Sequence, residues 1–237
     1  MHRFLISVLI LFCLLLVFEI IRVGIKIKKG HNLSRPFQRF SRVLPDEKEK
    51  ILITGDSTSF GVGAIDQQNS LAGRLAQRFP GISIVNNSVK AISTRRLVKV
   101  IEKLNEEKFD KIFIHVGGMD VFLFTLKYFL RKDLRKLIHA AKKIGKDVFI
   151  ISMNNPGNMP ALKKYSILAH ILQKRSRALD GVFKEVCEEL DVEHISLNFE
   201  EKDDPLNKDP ERFYFKDGMH PSDEGYAIWS DLVISKL

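Results

Sequence analysis

The 237-residue chain has little of what builds a cross-linked or metal-held scaffold: two cysteines, one tryptophan and seven histidines. Cys13 falls inside an apolar run and Cys187 inside a helical pattern, so no intramolecular disulfide is expected. No Cys/His group has zinc-ligand spacing, and no metal is expected. Alanine is absent before Ala64, so the apolar run near the N-terminus is followed by no small-x-small cleavage site. Acidic residues are nearly missing from residues 1–44, where Glu19 stands alone against eight Lys/Arg. Phosphate-loop signatures are lacking too: no Gly-Lys-Ser/Thr occurs after the first strand pattern, and Gly61-Val62-Gly63 has no third glycine three residues on.

What is present begins with an uneven charge. The chain carries a net +9, of which +7 belongs to residues 1–44 and only +2 to the remainder. Basicity is thus local to an apolar segment and points to anionic lipid, with no nucleic-acid partner expected because no basic stripe is interleaved with aromatics. Phe4 to Phe18 is apolar except for Ser7, and Ile20–Ile21 extend it. Eighteen helical residues reach about 27 Å, close to a bilayer's hydrocarbon thickness. Residues 1–21 are therefore read as an uncleaved single-pass anchor in preference to a signal peptide, and residues 22–49, with Pro36 and Pro45, as a basic juxtamembrane linker. The Lys/Arg excess on the C-terminal side predicts a cytoplasmic domain by the positive-inside rule.

Residues 50–237 alternate short apolar runs with helical patterns. Strands are expected at Lys50–Gly55, Ile82–Val89, Lys111–Gly117, Asp147–Met153 and Val192–Leu197, rich in Ile, Val and Phe on both faces. Helices are expected at Leu71–Phe79, Arg95–Glu107, Leu123–Ile144, Leu162–Leu190 in two pieces, and Ser222–Ser235. This alternation predicts right-handed crossovers and a three-layer α/β/α sandwich on a five-stranded parallel sheet, with ligands bound beyond the carboxyl ends of the strands.

Candidate chemistry stands just after those strands. Thr54-Gly55-Asp56-Ser57-Thr58-Ser59 places a serine at a strand-to-helix turn, where a hydroxyl can be exposed or can merely cap a helix. Asn86-Asn87-Ser88-Val89-Lys90-Ala91 and Gly117-Gly118-Met119-Asp120 follow the second and third strands. Near the C-terminus, Asp217-Gly218-Met219-His220-Pro221 sets a carboxylate and an imidazole three residues apart across a glycine. That spacing lets the carboxylate orient the imidazole while its other nitrogen faces a nucleophile.

Gly55-Asp56-Ser57-Thr58-Ser59 and Asp217-Gly218-Met219-His220-Pro221 resemble the first and last blocks of the SGNH/GDSL hydrolases, and the resemblance extends over residues 50–237. It implies a flavodoxin-like fold and esterase, thioesterase, lysophospholipase or deacetylase activity without metal or other cofactor. It also implies Ser57 as nucleophile, His220 as general base and Asp217 as the orienting carboxylate. The family's oxyanion hole uses main-chain N–H groups of the serine and of a second-block glycine, plus a third-block asparagine side chain. Ala91 holds the glycine position here and Met119 the asparagine position. A thioether donates no hydrogen bond, and Asn154 or Asn155 after the fourth strand is a possible replacement.

Two functions remain open on these residues. One is hydrolysis of a small or lipid-linked acyl ester or thioester through an acyl-Ser57 intermediate. The other is a weakened domain of the same fold that binds a ligand or membrane partner without turning it over, motivated by Met119. Leu123 to Leu130, with Phe122, Phe124, Tyr128 and Phe129, is read either as an acyl-pocket wall or as core packing. His115 is read as a satisfied core histidine, Cys187 as a small core residue, and His139, His170 and His194 as having no assigned partner. The glycosylation-like Asn86-Asn87-Ser88 is discounted because it falls in the expected active-site loop.

Overall fold

The computed structural model describes residues 2–33, 37–163 and 166–237. Five strands, β1 (Glu49–Gly55), β2 (Ile82–Asn86), β3 (Phe109–Val116), β4 (Gly145–Ser152) and β5 (Glu193–Ser196), pair in parallel in the order β2-β1-β3-β4-β5. This is the doubly wound order in which the chain reverses direction between β1 and β3. The central strands are apolar on both sides because both faces are covered: Ile51, Leu52 and Ile53 of β1 and Ile112, Phe113 and Ile114 of β3 are all buried.

In chain order the helices are α1 (His2–Leu33), α2 (Ser57–Phe60), α3 (Leu71–Arg78), α4 (Thr94–Glu102), α5 (Gly118–Phe122), α6 (Lys127–Ile144), α7 (Pro160–Lys163), α8 (Ser166–Glu189), α9 (Pro210–Phe213) and α10 (Asp223–Ile234). Helices α4, α6 and α8 pack side by side on one face, and α3 and α10 pack together on the other. The result is the three-layer sandwich expected from the alternation of patterns.

Several boundaries differ from the sequence reading for identifiable reasons. β2 stops at Asn86 because the Asn86 carboxamide oxygen accepts the Ser88 N–H and turns the chain out of the sheet. The helix expected from Leu123 begins at Lys127. Before it, the Arg175 guanidinium draws in the carbonyls of Val121 and Thr125, and Phe124 takes a left-handed conformation (φ 53°). The expected break in Leu162–Leu190 separates α7 from α8, with residues 164–165 outside the described residues.

The N-terminal segment differs most. α1 continues through Leu33, past the expected end of the anchor at residue 21. Its Phe4–Arg22 portion is long and apolar enough to cross a membrane by length and composition, a description that a signal sequence also meets. From Phe37 onward the expected linker is part of the domain. Arg42 bridges Ile84 at the outer edge of β2, Leu44 donates to Ser83, and Ser41 accepts from Asn86. Arg42 is not a lipid-facing cation, since its Nη2 lies 3.0–3.2 Å from the carbonyls of Ala76, Phe79, Pro80 and Ile82. Charge-assisted bonds to half-buried carbonyls are worth more than neutral ones. Arg42→Ala should therefore lower the unfolding free energy by about 2 kcal/mol, measured by chemical denaturation. An unchanged midpoint would restore the reading of this segment as a linker.

Candidate active site

The first βα turn is built around one close approach. Gly55 (φ 142°) ends β1 so near β3 that a Cβ there would stand 2.0 Å from the His115 carbonyl oxygen. Asp56 then caps α2, accepting the Thr58 N–H on Oδ1 at 3.0 Å, which sets Ser57 as the first helical residue. N–H groups in a first turn have no helical acceptor, so the Ser57 N–H is available to a ligand.

The last loop closes over this turn. Tyr214 and Pro221 form an antiparallel bridge, the Phe215 N–H donates to the His220 carbonyl at 2.8 Å, and the Ala161 N–H donates to the Gly218 carbonyl at 3.0 Å. Gly63 makes the junction possible, because a Cβ there would lie 2.2 Å from the Pro221 carbonyl oxygen. Tyr226 on α10 donates to the carbonyls of Thr58 and Val62 and ties the two loops together.

Within this frame Ser57 Oγ lies 2.8 Å from His220 Nε2, and His220 Nδ1 lies 2.7 Å from Asp217 Oδ2. The Asp217 side chain is 1% exposed, and its Oδ1 accepts the main-chain N–H groups of Met219 and His220. Burial alone would raise the Asp217 carboxyl, but the bonds from the His220 ring and the two N–H groups outweigh it and hold it below its ordinary value. An ionised Asp217 fixes the tautomer with a proton on Nδ1, leaving Nε2 to accept from Ser57.

The three residues border a cavity of about 230 Å³ that also touches Ala91, Gly118, Met119, Phe122 and Asn154. Ala91 has the left-handed conformation (φ 54°) that a glycine adopts without strain, so alanine reaches the backbone geometry of the second block. Its N–H makes no backbone hydrogen bond in the turn among the described residues. Asp120 anchors the third block to the second, accepting the Thr94 N–H and hydroxyl on one oxygen and the Thr125 hydroxyl on the other. Met119 therefore occupies the cavity wall with no donor to offer.

The two asparagines after β4 part company. Asn155 is engaged at both ends, donating to the Phe199 carbonyl beyond β5 and accepting the Gly157 N–H of its own loop. Asn154 is 8% exposed, lines the cavity, and has its Nδ2 buried without a hydrogen-bond partner among the described residues. The Val116↔Ser152 pairing of β3 and β4 brings Asn154 alongside the third block.

Sequence reasoning missed the places of Asp56 and Lys90, read His115 as satisfied, and misassigned one segment. Asp56 and His115 form a buried pair behind Ser57, Nδ1 to Oδ1 at 2.9 Å. His115 is thus only half satisfied, since its Nε2 is buried without a partner among the described residues. Lys90 also borders the cavity, its ammonium 4.4 Å from the Phe60 ring centroid, and burial pulls it below its ordinary value. Of the proposed acyl-pocket segment only Phe122 lines the cavity, while Leu123, Phe124, Leu126, Tyr128 and Phe129 are exposed. His139 and His170 are exposed, and His194 sits 3.5 Å from Asp180, none of them at the cavity. Burial pushes the Cys187 thiol up to about 12, which keeps it inert.

The GDSL-like lipase/acylhydrolase family matches residues 53–228. The chain belongs to that family. Its structure is similar to a lipolytic protein of the G-D-S-L family from Veillonella parvula (TM-score 0.62, 16% identity, 78% of this chain and 96% of that one). It is similar to TesA (TM-score 0.63, 19% identity, 80% and 98%) and to a variant of Axe2, an acetyl xylan esterase from Geobacillus stearothermophilus (TM-score 0.56, 20% identity, 80% and 94%). At these identities the likeness is one of fold. No curated protein matches the chain.

The buried carboxylates give the folded state a defined acid limit. Burial would raise Asp56, but His115 and the Thr58 N–H hold it, like Asp217, below its ordinary 3.8. A depressed folded value means that the unfolded chain takes up protons first as the pH falls. The stability these groups contribute is complete above about pH 4 and is lost as the pH drops through their folded values. Asp56→Asn should therefore lose stability less steeply than the native chain between about pH 5 and 3, measured by denaturant unfolding. Equal slopes would contradict the assignment.

Proposed function

We propose that this GDSL-family protein is a membrane-anchored serine esterase that forms an acyl-Ser57 intermediate. The observation that carries the reading is the unbroken Ser57–His220–Asp217 hydrogen-bond chain opening onto a cavity. His220 Nε2 takes the Ser57 proton as Oγ adds to the ester carbonyl, and the carbonyl π pair moves onto oxygen. Collapse of the tetrahedral intermediate expels the alcohol, which receives the proton from His220. Water then adds to the acyl-serine by the same route, its proton passing through His220 back to Ser57 as the acid leaves. Thioesters fit the same sequence with a thiol as leaving group.

Three donors are assigned to the oxyanion: the N–H groups of Ser57 and Ala91 and the Asn154 carboxamide. Asn154 is preferred because an amide N–H buried without a partner costs on the order of 1–3 kcal/mol. A bond to the developing oxyanion would recover that cost in the transition state. On this reading Met119 does not mark a dead site, and the donor has moved from the third strand's loop to the fourth's. The small cavity favours a short acyl group.

The anchor is assigned to Phe4–Arg22, with the domain on the cytoplasmic side. Arg22, Lys26, Lys28 and Lys29 still stand after the apolar run although Arg42 is engaged by the domain. Protease access to a C-terminal tag in intact cells tests the side.

The kinetic test separates the donors. Asn154→Ala should lower kcat on a short p-nitrophenyl ester by about 10²-fold with KM little changed, because the lost bond forms mainly in the transition state. Adding Met119→Asn to that variant should restore about tenfold or more. Full activity in Asn154→Ala would remove it from the oxyanion hole. If no ester or thioester is turned over by any variant or by the native chain, the ligand-binding reading replaces the enzyme reading.

A further inference from the structure

Single exposed apolar side chains are ordinary on a protein surface, whereas a cluster at one end calls for a cause. Beyond α1, nine large apolar side chains are exposed among the described residues, and seven of them belong to the segments that follow β1, β2 and β3. Ile65 (76% exposed) follows the Ser57 turn and Val89 (40%) follows β2. Leu123, Phe124, Leu126, Tyr128 and Phe129 (50–69%) follow β3 and begin α6. All three segments follow the carboxyl ends of strands, the end of the sheet that also holds the Ser57 cavity. The face that carries the chemistry is thus the apolar face of the molecule.

Charge differs along this face: Asp66, Asp223 and Glu224 stand beside Ile65, whereas cations stand among the aromatic side chains after β3. Residues 121–132 include Lys127, Arg131 and Lys132 with no Asp or Glu, and Arg95 and Arg96 are exposed at the start of α4 on the same end. Arg131 is engaged by Glu185, so the outward cations are Lys127, Lys132, Arg95 and Arg96.

The N-terminal helix reaches the domain at this same end. Glu19 accepts the Leu168 N–H at 2.8 Å near the start of α8, which follows β4. The chain rejoins the domain where the Phe37 ring meets Phe215 edge-on at 5.3 Å and Arg39 donates to the Ser88 carbonyl. The apolar stretch ends at Arg22, three residues beyond Glu19, so the end of the span lies within about 5 Å along the helix of its contact with the domain.

We propose that the catalytic face is a docking surface for an anionic lipid bilayer, so that the ester reaches Ser57 from the lipid phase and not from bulk water. This rests on the anchor reading above and goes beyond it, since an anchor alone leaves the domain free to turn in any direction. Apolar side chains with interspersed cations match the two layers of such a surface: the side chains enter the headgroup boundary while Lys and Arg stay at the phosphates. A second copy of this chain, itself net +9, would bring further cations to this face, whereas an anionic bilayer offers apolar depth and phosphates together.

The test uses the full chain in phosphatidylcholine/phosphatidylglycerol vesicles, with a fluorophore on Leu126→Cys or, at the amino end of the sheet, on Glu106→Cys, each in a Cys13→Ser background. The Leu126 label should be quenched by spin-labelled lipid and the Glu106 label should stay in water. Equal, water-like behaviour at both positions overturns the proposal. So does shielding at Leu126 that ignores the lipid-borne quencher, because that marks a protein contact. Leu126→Asp/Tyr128→Asp should cut hydrolysis of a vesicle-borne ester by about tenfold or more while leaving a soluble p-nitrophenyl ester within about twofold. Equal loss on both substrates counts against docking. Carbonate extraction of the same vesicles reads the anchor separately. A chain that washes off rejects the spanning helix, whereas a retained chain with a water-exposed Leu126 rejects only the docking face.

Discussion

The bond between Ser57 and His220 joins two turns 163 residues apart in sequence, and much of the molecule exists to hold those turns in contact. Each turn is constrained from behind. Gly55 lets β1 run against the β3 backbone closely enough for Asp56 to cap α2, and Gly63 lets the His220 loop lie on the glycine-rich turn after it. Tyr226, from the final helix, bonds to both ends of that turn. Side chains at either glycine would meet backbone carbonyls, so the serine and the histidine cannot be separated from the packing of these loops. The Ser57–His220 geometry is in this sense a consequence of how the turn after the first strand packs against the last loop and the final helix.

Much of this was legible in sequence because it is written locally. Continuous apolar runs alternating with 3.6-period patterns specify covered parallel strands, and the Ser57 and Asp217–His220 blocks each occupy a few consecutive residues. What was not legible depends on neighbours across the sheet. Asn154 and Asn155 are chemically identical in sequence. Only the turn after β4, where one carboxamide is engaged at both ends and the other is left unpaired over the cavity, distinguishes them. Asp56 and His115 likewise meet only because β1 and β3 are adjacent, and no spacing rule links residues 59 apart.

The basic N-terminal region illustrates the opposite failure, in which one pattern was extended over residues that pack against the domain. Arginines beside an apolar run suggest lipid contact, yet Arg42 spends its guanidinium on four carbonyls at the end of α3 and the start of β2, and Arg39 reaches Ser88. Charge type alone does not reveal whether a cation faces phosphate or a frayed helix end, because both offer oxygen acceptors. The aromatic segment after β3 misled in the same way. Hydrophobicity was visible, but its exposure follows from Arg175 and Phe124 turning the chain outward before α6 begins.

The account stands or falls on whether the hydroxyl of Ser57 is activated. Treatment of the full-length chain with a fluorophosphonate, followed by mass mapping of the adduct, reads this without knowledge of the substrate. The geometry predicts a single phosphonyl adduct on Ser57 that is lost in His220→Ala and slowed in Asp217→Asn, because Nε2 accepts the hydroxyl proton and the carboxylate fixes the tautomer. An unmodified Ser57 in folded protein, or labelling that is indifferent to His220, would contradict it.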